Sequence, residues 1–170
     1  MTCSRRDALA ALGALLATPS LAAALAHARD TQAADPLLST SLEYQAARLR
    51  GELTAEQVVR SALYRCDSHG TKWRAIDILS ITTALNEARV SDDRLRRKAL
   101  RGPLDGVPVF AKSIYDMQRL PTSASSAEWA RLFPHAVTRD AVEVARLRAA
   151  GAVVLGKTAA DDFADRGNGT

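Results

Sequence analysis

The chain has 170 residues, 47% of them hydrophobic and 25% charged, with a formal net charge of +4. Those values make disorder not the default reading and leave enough length for one domain with a real core. The cysteines (Cys3, Cys66) and histidines (His27, His69, His135) show no zinc-site spacing, so neither a metal site nor a disulfide framework is expected.

The N-terminus places Arg5 and Arg6 before an apolar run from Ala8 to Ala17; Thr18, Pro19 and Ser20 break the run, and Leu21 to Ala26 resume it. Ala26, His27 and Ala28 have the small-x-small form of a signal peptidase site. A basic start, a short apolar stretch and such a site predict a secretory signal over residues 1–28. The paired arginines resemble a twin-arginine export signal. The unbroken run is about ten residues, against the roughly twenty needed to span a bilayer, so no stable membrane anchor is expected after its removal. The expected location is exported, periplasmic or secreted.

Residues 29–40 are small and polar, include Asp35 and Pro36, and read as a linker. A short helix follows from Ser41 to Arg50, ended by Gly51. Thr54 and Gln57 form a capping box, with Leu53 and Val58 at the staple positions. Val58, Val59, Ala62, Leu63 and Cys66 recur at helical spacing, and Ser68, His69 and Gly70 are expected to close that helix. Ile76 to Ile81 reads as a strand, Thr82 to Leu100 as a helix with a basic end, and Val107 to Ala111 as a second strand. Residues 113–137 read as loop plus a short helix near Ala124–Leu132, stopped by Pro134. Thr138 is expected to cap a helix through Ala150, with Gly151 in a left-handed conformation. Ala152 to Leu155 makes a third, wholly apolar strand suited to a sheet covered on both faces. Thr158 to Asp161 is expected to open a last helix. Helices alternating with short apolar strands predict an α/β domain with a largely parallel sheet.

The richest stretch runs from Arg101 to Lys112. Gly102, Pro103 and Gly106 set tight backbone geometry. Pro108 has no N–H, so this strand starts at an edge or an unpaired position. The strand delivers Lys112 to the C-terminal end of the sheet, where open α/β folds place ligand crevices. Two readings stand at this point. A buried lysine has a lowered pKa and serves as a base; a lysine merely emerging at a strand end solvates its ammonium.

Gly102–Lys112 resembles the segment of amidase signature enzymes that carries their catalytic lysine. Leu120–Ser126 is similar to the Leu-Pro-Thr-Thr-Ala-Gly-Ser that follows it there. Leu147–Thr158 looks like the family's next helix–strand unit, and Asp162–Ala164 resembles its Glu-Phe-Ala. The resemblance implies an α/β/α sandwich with a mixed, largely parallel sheet, of which residues 41–170 are the N-terminal part. It also implies amide hydrolysis of a small-molecule amide by a Ser nucleophile, a bridging Ser in a cis peptide, and Lys112 as base, without a cofactor. The family's Gly/Ser-rich serine segment comes after the Glu-Phe-Ala block, and the chain reaches Thr170 before any such segment. The expectation is that these residues alone are inactive, leave a sheet edge uncovered, and are marginally stable or aggregation-prone. Ser113 departs from the pattern, where Asp commonly follows the lysine, and Ala159 stands where Asn is usual.

Arg94 to Arg101 holds five basic residues in eight, with no interleaved aromatics, and reads as a solvated helix end; no nucleic-acid partner is expected. Trp73 and Trp129 read as core or cover residues. The alternative to an amidase is an exported, non-catalytic remnant that binds a ligand or partner. A glutaminyl amidotransferase subunit is a third reading, which the export signal opposes. Oligomeric state is not legible from these residues.

Overall fold

The computed structural model describes residues 35–165. The signal over residues 1–28 and the first part of the linker lie outside the described residues. Asp35–Ser39 form a tight turn, in which the Leu37 N–H donates to Asp35 Oδ1 at 3.0 Å and the Ser39 hydroxyl to the Pro36 carbonyl at 2.9 Å.

From Thr40 onward the elements are α1 (Ser41–Leu49), α2 (Ala55–Trp73), β1 (Ile76–Leu79), α3 (Ile81–Arg96), β2 (Pro108–Lys112), α4 (Ala127–Leu132), α5 (Val142–Ala149), β3 (Val153–Thr158) and a 3-10 turn at Asp162–Ala164. Capping boxes open the first two helices. The Thr40 hydroxyl accepts from the Glu43 N–H while Glu43 accepts from the Thr40 N–H. Thr54 and Gln57 make the reciprocal pair at 3.1 and 3.0 Å. The apolar stripe of α2 is buried as its spacing predicts, with Val58, Val59, Ala62 and Leu63 all inside.

The strands form a mixed sheet in the order β1-β3-β2, with β3 parallel to β2 and antiparallel to β1. Val153, Val154 and Leu155 are all buried, so the central strand is covered on both faces. Both α3 and α5 pack on it, and α2 packs on α3. Val144 of α5 meets Ala111, Val154 and Met117 in one buried cluster. Pro108 opens a strand at the sheet edge, where its missing N–H costs no ladder bond.

Several boundaries differ from expectation, each for a local reason. Helix α2 runs through Gly70 to Trp73. A side chain at Gly70 would stand 3.0 Å from Ile76 Cγ1, so this glycine makes room for β1; Arg74, at φ +49, turns the chain. Ile81 belongs to α3, and that helix stops at Arg96 because Lys98 adopts φ +54. Thr138 does not cap α5, which starts at Val142. The preceding residues are instead tied to the loop after β2: Arg119 N–H bonds Val137 O, Gln118 N–H bonds Asp140 Oδ1, and Ala141 N–H bonds Asp116 O. Strand β3 does not stop at Leu155 but continues through Thr158. Val109 pairs with Val154 while Ala111 pairs with Lys157, so β3 carries one extra residue there. Gly156 fits that bulge because a side chain would run into the β1 backbone at Ile78 and Leu79. The last helix reduces to the 3-10 turn. Trp73 is exposed, with Lys72 Nζ 5.6 Å from its ring centre, whereas Trp129 packs against Phe133 and Phe163.

A buried polar network holds the glycine loop before β2. Arg48 of α1, 1% exposed, donates to the Asp105 carbonyl at 2.5 Å, to Ser91 Oγ at 2.9 Å and to Asp92 Oδ1 at 3.1 Å. Its Nε has no partner among the described residues. Asp92 also accepts from the Ala55 and Glu56 N–H groups at the start of α2, which ties three helices together. The Tyr44 hydroxyl donates to the Gly106 carbonyl at 2.9 Å, and the Gly106 N–H to the Gly151 carbonyl at 2.8 Å. Gly151, at φ +90, has no alternative: a side chain there would lie 2.8 Å from Asp105 Cα.

Candidate active site

Two parallel strands, β2 and β3, end side by side, and Lys112 pairs with Thr158 at that end. Beyond it the Ser113 N–H donates to the Thr158 carbonyl at 2.9 Å and the Tyr115 N–H to the Lys112 carbonyl at 3.0 Å, so the chain turns directly after the lysine. The Lys112 side chain is exposed, and its ammonium makes no hydrogen bond or ion pair among the described residues. The burial considered for Lys112 from sequence is therefore not met there.

It is met at Lys157, which sequence reading left without a role. Lys157 is fully buried and donates to the Pro121 carbonyl at 2.6 Å and to Thr122 Oγ1 at 3.0 Å. Burial pushes its ammonium below the usual lysine range, against the pull of Asp77 and Asp116. Thr122 in turn donates to Asp116 Oδ1 at 2.6 Å. With two of its three protons committed, Lys157 fastens the loop after Leu120 to the sheet.

That loop carries the serines. Ser123 Oγ donates to Asp77 Oδ2 at 2.9 Å and accepts from the Ser125 N–H at 3.1 Å. Ser113 Oγ and Ser125 Oγ lie 2.9 Å apart, and Ser125 Oγ accepts from the Ala160 N–H at 2.8 Å. Ala124 and Ser125 both take left-handed backbone, at φ +48 and +55. A cleft of about 680 Å³ opens beside the loop, lined among others by Cys66, Arg74, Asp77, Ser123, Ser125 and Ala159. Burial pushes the Cys66 thiol up, away from the reactive thiolate.

The basic segment is only partly solvated. Arg94 grips Asp105 with two bonds of 2.7 Å. Arg101 donates to the Arg148 carbonyl at the end of α5 at 3.0 Å. Arg148 pairs with Glu87 and with Asp140. Arg96 pairs with Asp93 on the surface.

A family model, Amidase, matches residues 57–169. The chain belongs to the amidase family. It is 36% identical over 130 residues to a glutamyl-tRNA(Gln) amidotransferase subunit from Streptomyces coelicolor, covering 76% of this chain and 26% of that protein. Among solved structures it is similar to a peptide amidase from Stenotrophomonas maltophilia, with a TM-score of 0.65, 34% identity, and coverage of 74% of this chain and 25% of the other. An amidase family protein from Bacillus anthracis superposes with a TM-score of 0.68 at 25% identity, covering 78% and 26%. The chain thus spans about a quarter of the relatives it matches. A bacterial aryl acylamidase of the amidase signature family shares this fold, with a TM-score of 0.65 at 16% identity and coverage of 74% of this chain and 26% of the other. In this amidase chain, Arg48 and the capped start of α1 precede the family match, while Asp105, Lys112, the serine loop and Lys157 fall inside it.

Proposed function

We propose that this chain forms the lysine-bearing part of an amide hydrolase in which Lys112 is the base. The observation that supports this is the placement of Lys112 at the end of β2, where a turn fixes the main chain directly after it and its amine is unpaired among the described residues. A segment that covers this amine while bringing a hydroxyl against it disfavours the ammonium, and the neutral amine accepts the proton. In a form that carries the family's Gly/Ser-rich segment, Lys112 draws a proton through a bridging Ser, the nucleophilic Ser attacks the amide carbonyl, and water releases the acyl group. Backbone N–H groups of that segment stabilise the oxyanion. The substrate class is a small carboxamide, in keeping with a solved peptide amidase relative that holds a competitive inhibitor, chymostatin. The test is ammonia or amine release from a panel of aliphatic and aryl amides. Turnover is expected from a form with the Gly/Ser-rich segment and none above background from residues 29–170 alone. Turnover by residues 29–170 would require another nucleophile.

Export belongs to the same proposal. Arg5, Arg6, the apolar run and Ala26–Ala28 support delivery across the membrane with cleavage after Ala28. It separates a stand-alone amidase from a component of the amidotransferase kind found among the relatives. N-terminal sequencing of protein made in a host with both export routes should begin at Arg29. An intact Met1 on cytosolic protein would remove the export proposal.

A further inference from the structure

We infer that Ser125 is a positioning residue for Lys112, acting through Ser113, and that the two hydroxyls work as one coupled unit; its bearing on catalysis rests on the reading of Lys112 as base.

Ser125 sits at φ +55, where a glycine is unstrained and a serine is not. What the serine gains is visible in its bonds. Its oxygen accepts the Ala160 N–H from the chain leaving β3 and faces Ser113 Oγ at 2.9 Å. Ser113 is fully buried, and its hydroxyl has no other partner among the described residues. A buried hydroxyl donates where it can. Ser113 therefore gives its proton to Ser125, whose oxygen uses both lone pairs. The Ser113 main chain closes the ring: its N–H donates to the Thr158 carbonyl at 2.9 Å and its carbonyl accepts from the Ala124 N–H at 3.3 Å. Three segments, the end of β2 beside Lys112, the serine loop and the exit of β3, are thus joined at one point.

Both residues also depart from the segments this chain resembles. Ser113 follows the lysine where Asp is common, and Ser125 stands where the quoted motif has Gly. In space the two departures touch. An aspartate at 113 is longer than serine and would extend toward the place that the Ser125 oxygen occupies, 2.9 Å from Ser113 Oγ. The pair of hydroxyls does the work of one carboxylate facing a glycine.

The test uses the 170-residue chain at low temperature, with denaturant unfolding and amide hydrogen exchange. Ser113→Ala and Ser125→Ala are each expected to lower the folding equilibrium constant about tenfold. The double variant should fall by about the same tenfold, not by a hundredfold, because the two act together. Exchange at the Ala160 N–H should quicken in both. Ser125→Gly relieves the left-handed strain yet should still be less stable than the parent. Ser113→Asp with Ser125→Gly should restore stability and Ala160 protection. A Ser125→Gly chain as stable as the parent, additive singles, or an exchange pattern untouched at Ala160 would overturn the coupling; a Ser125→Gly chain that fails to fold and that the exchanged pair does not rescue does the same. The positioning of Lys112 is read separately from the ¹³C resonance of reductively methylated Lys112. That resonance should move in Ser125→Ala and return in the exchanged pair, while exposed Lys98 stays fixed. No movement of Lys112 overturns its positioning by Ser125. If Lys112 moves but later proves dispensable for turnover, only the base reading fails.

Discussion

Lys112→Ala, in a form of the protein that carries the Gly/Ser-rich segment, is expected to lower amide turnover by about 10²–10⁴-fold, the usual worth of a positioned proton acceptor. The effect should fall on kcat, since the lysine is asked to act on the reacting hydroxyl and not on the bound amide. In the 170-residue chain the same substitution should leave the melting temperature within about a degree or two, because the side chain is exposed there and makes no bond among the described residues. Lys157 supplies the contrast. It is fully buried and bonded to the Pro121 carbonyl and Thr122, so Lys157→Met should loosen the loop and cost stability whatever it does to turnover. Near-normal turnover in Lys112→Ala would make Lys112 a bystander. A large loss of stability alongside lost turnover would show that the variant reports on folding and not on proton transfer.

Where the residues that shape this site were legible in sequence, the reason was local chemistry. The Thr54–Gln57 box lies within one turn, and the structure makes both of its bonds. Gly102, Gly106 and Pro108 punctuate the entry to β2, so that strand was expected within one residue of where it lies. Apolar periodicity found the buried face of α2 because burial there is a property of one helix. What escaped was chemistry between distant segments. Arg48 finds Asp92 across 44 residues and the Asp105 carbonyl across 57, and no spacing within one element signals such a partner. Arg94 looked like one more solvated charge because its carboxylate, Asp105, lies beyond the helix end. Lys157 has no apolar or helical signal; the Pro121 carbonyl and the Thr122 hydroxyl that take its ammonium lie 36 and 35 residues away, beyond what spacing within one element reveals. Gly70 reads as a stop signal in sequence, yet it is used for close approach by Ile76, and a glycine alone does not distinguish the two uses.

The largest stability effect is expected at Asp105. Its carboxylate is fully buried and accepts four bonds: two of 2.7 Å from Arg94, one of 2.5 Å from the Ser91 hydroxyl and one of 2.8 Å from the Arg101 N–H. Its carbonyl takes the Arg48 guanidinium as well. Burial by itself would raise the carboxyl, but the bonds from Arg94, Ser91 and the Arg101 N–H outweigh it and hold Asp105 below the ordinary carboxylate range. Asp105→Asn keeps the shape, removes the charge and leaves Arg94 facing a neutral group in a mostly buried setting. Breaking one side of such a pair costs about 3–5 kcal/mol. That is a large share of the roughly 5–15 kcal/mol that holds a domain together. The loop from Gly102 to Gly106 would lose its anchor, and with it the start of β2. The pH dependence follows from the lowered carboxyl. Stability from Asp105 is fully present above its unfolded value near about 3.9 and is lost as pH falls through the lower folded value. Urea unfolding of parent and Asp105→Asn should therefore differ most near neutral pH and converge as the pH drops below about 4. The other lowered carboxyls, Glu43, Glu52, Glu56 and Glu128, are surface partners of neighbouring groups and contribute little to that slope. A gap between the two proteins that is constant from neutral to acid pH would mean that the cost of Asp105→Asn lies in packing and not in the buried charge.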